Sequence, residues 1–201
     1  MPDPTLCQPT TLDAVAKVVQ MLSWLVASVG GVIMAYKAVA EFQIANRERE
    51  KANALQKRDL RARMADRAKL EVEALYADKK VESALHLVDV DGTAFEFTPP
   101  GAKESGSERV THERLRHMLR STDVTFTDLE LAVRSCFDSL FSRLASMEKL
   151  SSLDILAPDD VLPPLAYYVV KLSRFKTEVS DYCNNFGFKE ALLMLKRSRH
   201  W

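Results

Sequence analysis

VVQMLSWLVASVGGVIMAY, residues 18–36, carries no charged side chain and is bounded by Lys17 and Lys37. A helix of this length rises about 28 Å, close to the roughly 30 Å hydrocarbon layer of a bilayer. A helix lying on a water-soluble core would show a polar face, and Gln20, Ser23 and Ser28 are too mild to make one. Tyr36, beside Lys37, suits the membrane interface, whereas Trp24 lies deeper. The stretch therefore predicts a transmembrane helix over 11–38, preceded by a short tail at 1–10. Thr10-x-x-Asp13 has the form of a capping box that would start it.

Two rival readings fit less well. A secretory signal peptide needs a basic n-region and a shorter apolar core. Ala38-Val39-Ala40 could serve as its cleavage site, but residues 1–16 contain no Lys or Arg. A fully buried soluble helix would need a larger chain around it than 201 residues supply.

The flanks set an orientation. Asp3 and Asp13 precede the span, whereas Lys37, Arg47, Arg49, Lys51, Lys57, Arg58, Arg61 and Arg63 come after it. The positive-inside rule then puts the N-terminus outside and the C-terminal part in the cytoplasm. Within the span, Ala27 and Gly31 form a small-xxx-small pair, and Gly30 adjoins it. Such residues let two helices approach closely, and glycine is also simply common in membrane helices.

Residues 38–88 contain neither proline nor glycine and are rich in good helix formers. Between 47 and 80 there are eleven basic and seven acidic side chains, with Asp59 and Arg63, and Asp66 and Arg67, as local mixed charge. The apolar positions Ile44, Leu55, Leu60, Met64, Leu70, Val72 and Leu75 match no clean heptad. The pattern predicts a charged helical stalk over 39–88, solvated or lying partly against the C-terminal domain, with basic residues that could also meet anionic lipid heads.

A turn and flexible loop at 89–107 come next, with a short strand at 94–97, then a cytoplasmic helical domain over 108–201. Residues 108–120 read as a short helix. Thr127-x-x-Glu130 is a capping box opening a helix whose stripe is Leu129, Val133, Cys136, Phe137, Leu140, Phe141, Leu144 and Met147. Pro164 suits the first turn of a helix carrying Leu165, Tyr168, Val169, Leu172, Phe175, Val179 and Tyr182. Gly187 ends it, and a last helix over 188–197 turns Phe188, Leu192 and Leu195 inward. The fold class is mainly α, with no alternation of strands and helices that would build a parallel sheet.

Arg120-Ser-Thr-Asp123, Phe137-Asp-Ser-Leu-Phe141, Tyr167-Tyr-Val-Val-Lys-Leu172 and Gly187-Phe188 resemble segments of small bacterial membrane proteins of uncharacterised function. Those proteins join one N-terminal span, a basic helical segment and a cytoplasmic helical domain. The resemblance implies anchoring in a bacterial inner membrane and a helical fold, and it carries no catalytic residues. Some proteins built this way are accessory or effector parts of antiviral defence operons.

Three motifs invite chemistry. Asp89-x-Asp91-Gly92-Thr93 has the local pattern of the haloacid-dehalogenase-like phosphatases, in which Asp89 would be the nucleophile and Asp91 the acid/base, with magnesium. That reading needs a parallel sheet to converge its groups, and a helix stop and then an Asp/Gly turn explain the same residues. The stretch also lacks the further ligands of a calcium loop. His112 and His117 are five apart, about 140° around a helix, where a zinc-binding HExxH pair is four apart on one face. Arg109, Arg114, Arg116, His117 and Arg120 could instead form an anion-binding patch, or a solvated polar face.

Lys+Arg and Asp+Glu number 28 each, so no net basic charge favours general nucleic-acid binding. Cys7, Cys136 and Cys183 are too few and too scattered for a disulfide scaffold or zinc site, and Cys136 and Cys183 read as buried thiols. The residues call for no cofactor. The expectation is a non-enzymatic membrane-anchored protein whose cytoplasmic domain binds a partner or senses a signal, its partners being the lipid bilayer and a protein, another copy included. An oligomeric membrane-perturbing effector and a magnesium-dependent phosphohydrolase are the alternatives.

Overall fold

The computed structural model describes residues 11–99, 104–120 and 125–201. Thr10 of the N-terminal capping box, Cys7 and the Ser121–Asp123 part of the Arg120–Asp123 segment lie outside the described residues. The chain divides into two compact units, Met1–Arg58 and Asp59–Trp201.

The first unit is helical throughout its described part, which belongs to α1 (Thr11–Ala77). Among the described residues its apolar stretch packs against nothing: Trp24 is 73% exposed, Met34 77% and Val26 72%. None of the most apolar window is buried, and the helix is long and apolar enough to cross a membrane. Leaving so many large apolar side chains in water would cost on the order of 20 kcal/mol. That exceeds the stability of an ordinary domain. The mild polar groups are satisfied internally, since the Ser23 and Ser28 hydroxyls donate to the Gln20 and Leu25 carbonyls at 2.8 and 2.9 Å. Beyond the apolar stretch, Lys37–Glu41 forms a loose exposed pair at 3.9 Å.

In the second unit, Ala68, Val72 and Leu75 of α1 are buried at alternating steps of four and three, so this part of the helix belongs to the core. The charged helix expected through residue 88 is interrupted. Asp78 leaves the helical region (φ −79°, ψ 112°), and its carboxylate accepts from the Lys80 N–H at 3.0 Å, capping α2 (Lys79–Asp89). α2 buries Val81, Ala84, Leu85, Leu87 and Val88.

Gly92, at φ +72°, turns the chain into β1 (Thr93–Phe97). β1 pairs antiparallel with β2 (Gly106–Val110), Thr93 opposite Val110 and Phe97 opposite Gly106. Gly106 faces the Phe97 ring, where an added Cβ would lie 3.3 Å from it. The strand expected at 94–97 is present. The helix expected from 108 begins instead at His112, because Glu108–Val110 complete the hairpin and Val110 is buried. Thr111 caps α3 (His112–Met118) by accepting from the Arg114 N–H at 3.2 Å.

α4 (Asp128–Ser152) opens on the predicted capping box: the Glu130 carboxylate accepts from the Thr127 N–H at 2.8 Å, and Thr127 Oγ1 from the Glu130 N–H at 3.3 Å. All eight residues of its predicted stripe are buried. α5 (Pro158–Leu172) starts earlier than the Pro164 expectation. Pro158 takes the first helical position and Asp159 and Asp160 the first turn, where the helix dipole favours acid. Pro163 and Pro164 then sit inside the helix, their fixed φ compatible with it at the loss of two donors.

A single 3-10 turn (Ser173–Phe175) separates α5 from α6 (Lys176–Asn185). Gly187, at φ +83°, ends α6 and leads to α7 (Lys189–Lys196). Phe141, Tyr182, Phe186 and Phe188 stack at centroid distances of 4.7–6.3 Å, closing the core between α4, α6 and α7. Trp201 packs on this core, with the Lys176 ammonium 5.9 Å from its ring centre.

Candidate functional site

The apolar span places Ala27, Gly30 and Gly31 on an open helix surface. A Cβ added at Gly30 or Gly31 meets no atom within 4 Å. Among the described residues nothing lies against these two positions, which leaves room for a neighbouring helix.

The Asp89–Thr93 motif sits where α2, α5, α3 and the hairpin meet. Asp89 ends α2, and its Oδ1 is 2.6 Å from the Lys171 ammonium of α5. The Tyr167 hydroxyl donates to the same oxygen. These hydrogen bonds, Lys171 first and Tyr167 second, hold the Asp89 carboxyl below the usual carboxylate range. The same contact raises Lys171 above an ordinary lysine. Asp91 Oδ1 accepts from the His112 N–H at 2.6 Å, so it satisfies an otherwise orphaned donor in the first turn of α3. Thr93 donates its hydroxyl to the Val90 carbonyl at 3.0 Å. Each polar group of the motif thus has a local partner: Asp89 ties α2 to α5, Asp91 caps α3, and Gly92 makes the turn. The strand after the motif belongs to a two-stranded antiparallel hairpin. A phosphatase of the resembling type would need a parallel sheet there.

Beside this joint lies a groove of about 400 Å³, lined by Tyr76, Glu82, Leu85, His86, Asp89 and Tyr168 among others. Tyr76 is in the last turn of α1, and its hydroxyl donates to the Pro164 carbonyl at 2.9 Å. Burial, then the nearby Tyr168, raises the Tyr76 phenol above its ordinary range.

The five residues expected to form an anion patch run from β2 past the end of α3. Arg114 pairs with Glu108 at 2.8 Å and donates to the Arg109 carbonyl at 3.3 Å. Arg116 pairs with Glu178 at 3.1 Å, donates to the Arg174 carbonyl at 2.9 Å and lies 5.0 Å from the Phe175 ring centre. The Arg120 guanidinium contacts the His117 ring, and His117 lies 3.8 Å from Glu130. The Arg109 side chain runs past Gly92. Arg114 and Arg116 are therefore engaged by carboxylates on different sides of α3.

Two buried charges escaped the sequence reading. Arg134, 5% exposed, sits on the stripe of α4. It donates to the Met118 and Arg120 carbonyls at 3.1 and 2.9 Å, ending α3. Its guanidinium lies 4.1, 4.5 and 4.8 Å from the ring centres of Phe126, Phe186 and Tyr182. Tyr182 in turn donates to Asp138 at 2.6 Å, and its phenol is pushed well up, by burial first and that bond second. Glu148, 6% exposed, makes a two-bond fork with Arg197 at 2.7 and 2.8 Å, tying the end of α7 to α4. No local signal marked Arg134, because the Met118 and Arg120 carbonyls and the three rings that enclose it lie outside α4.

Cys136 and Cys183 are buried free thiols, pushed up to about 11 and about 12 by that burial. Among the described residues no three His, Cys, Asp or Glu side chains stand close enough to share a metal ion. Comparison of the chain with protein-family models, curated proteins and solved structures yields no match.

Proposed function

We propose that the chain is a single-pass protein of the bacterial inner membrane, its N-terminus outside and its Asp59–Trp201 unit in the cytoplasm. There the helical unit binds a partner or receives a signal, without catalysing a reaction. The observation that carries this reading is the uncovered apolar stretch of α1, which none of the described residues buries. Lipid would remove that surface from water, and the basic side chains that come after it favour the cytoplasmic leaflet.

The roles taken by Asp89 and Asp91 support the non-enzymatic part. Both carboxylates are engaged in holding helix ends, which accounts for them without a reaction.

The test is extraction and accessibility. The full chain, tagged at its C-terminus, should stay with membranes through alkaline carbonate. The tag should resist protease in intact spheroplasts and be cut in inverted vesicles. Release by carbonate would sink the anchor, and cleavage in intact spheroplasts would reverse the orientation.

A second reading, an oligomeric effector that perturbs the bilayer, is favoured by the open surface at Gly30 and Gly31. It expects toxicity on expression that disappears in Gly31→Leu. A chain that is monomeric at every concentration in detergent would refute it.

A further inference from the structure

The groove beside the Asp89 joint has side chains that the fold leaves uncommitted. Glu82, His86 and Asp89 lie at i, i+4 and i+7 on α2, so they share one face. The Glu82 carboxylate makes no ion pair or hydrogen bond among the described residues, whereas Asp89 is already neutralised by Lys171, which does not line the groove. Ser83 has committed its hydroxyl to the Lys79 carbonyl and Tyr76 to that of Pro164. The uncommitted groups are the Glu82 carboxylate, the His86 imidazole, and the ring and hydroxyl of Tyr168. No lysine or arginine lines the cavity.

The lining is also aromatic. Tyr76 and Tyr168 have ring centres 6.1 Å apart at an interplanar angle of 51°, forming a corner, and the buried Leu85 adds apolar surface. An anion would meet the unpaired Glu82 carboxylate, with no lysine or arginine in the lining to hold it. A bare metal ion would need ligands that converge, and these do not. An organic cation suits both features, because ammonium and its methylenes are attracted to tyrosine faces and charge-paired by a carboxylate. The volume, about 400 Å³, matches a small molecule of several heavy atoms.

We propose that this groove binds a small organic amine, with Glu82 as its counter-charge and the Tyr76–Tyr168 corner holding its carbon chain. The inference deepens the signal-receiving role proposed above and rests on it. The groove joins the last turn of α1 to α2 and α5, so an occupant would brace these three elements of the Asp59–Trp201 unit against one another.

Spermidine is the probe, titrated calorimetrically at low ionic strength into the full chain in a non-ionic detergent. One saturable site is expected. Glu82→Gln should weaken it about tenfold, the loss of one charged hydrogen bond. Tyr168→Leu should weaken it about threefold or more. Glu96→Gln, which removes an exposed carboxylate on β1, should leave it unchanged. Absence of saturable binding would overturn the proposal. So would binding indifferent to both groove variants, or weakened equally by Glu96→Gln. Either groove variant alone suffices if the other does not fold. Failure here leaves the carbonate result standing, and failure of the carbonate test leaves the binding result standing.

Discussion

Replacing Arg134 by methionine tests whether the buried guanidinium holds the helical unit together. The side chain is 5% exposed and has no carboxylate partner among the described residues, so its removal strands no opposite charge. The substitution loses two charged hydrogen bonds to the Met118 and Arg120 carbonyls and contact with three rings. Bonds of that kind contribute about 1.5 kcal/mol or more each, and the ring contacts about 1 kcal/mol together. Against this stands the relief of a desolvated cation, which methionine of similar length replaces with apolar packing. The net loss is about 3 kcal/mol, or about 10 °C in melting temperature for a domain of this size. Thermal unfolding of the full chain in non-ionic detergent, monitored by near-ultraviolet circular dichroism, measures it. Arg134→Lys keeps the charge and a donor but loses the flat guanidinium set among three rings, so it should recover only part of the difference. A melting temperature for Arg134→Met within about 2 °C of the unaltered chain would refute the reasoning. It would mean that desolvation cancels the bonds and that α3 ends by itself.

Asp91→Ala removes the acceptor for the His112 N–H and should cost about 1 kcal/mol, seen as a melting shift of about 3 °C; no shift would deny it a capping role. Asp89 has its folded pKa depressed by Lys171 and Tyr167, so its contribution is present above the unfolded value of about 3.9 and is lost as pH falls through the lower folded one. Acid titrations of stability should therefore be shallower below about pH 4 in Asp89→Asn, and an unchanged acid limb would count against the pairing. Cys136 and Cys183 should escape maleimide at mildly alkaline pH in the native chain and react on unfolding, as peptide mass analysis would show; rapid native labelling of either would contradict their burial. Leu144→Ala, at a core position 3% exposed, should cost about 3 kcal/mol in the same melting experiment, and a neutral result would mean that α4 packs otherwise.

The helical pattern was legible where apolar spacing is long and capped. Leu129 through Met147 and the Thr127–Glu130 box are local signals, and the fold uses them as read. The break at Asp78 was harder to see because Ala77-Asp78-Lys79 contains no helix breaker. Aspartate there caps only because Leu75 and Val81 must both turn into one core. β2 was missed for a related reason: Ser107, Glu108 and Arg109 have no strand preference, and they pair because β1 lies opposite. The start of α5 went to the wrong proline, since three prolines within seven residues offer three candidate first turns and only tertiary packing of Val161 chooses among them. The arginines of α3 looked alike in sequence. Their different fates depend on Glu108 and Glu178, which lie on either side of α3 in the chain. Neither the Arg134 enclosure nor the groove at Glu82 could be read in advance, because each is assembled from three or more elements.

The chain holds two tryptophans, and the division into units separates them. Trp24 stands on the open apolar stretch and Trp201 on the core of the other unit, near Lys176. Each unit therefore carries its own fluorophore. In Trp201→Phe, emission reports only on the surroundings of the span, and quenchers placed at graded depths in a bilayer would read its position directly. In Trp24→Phe, the remaining indole tracks the helical unit through melting or amine binding, with no contribution from the apolar stretch.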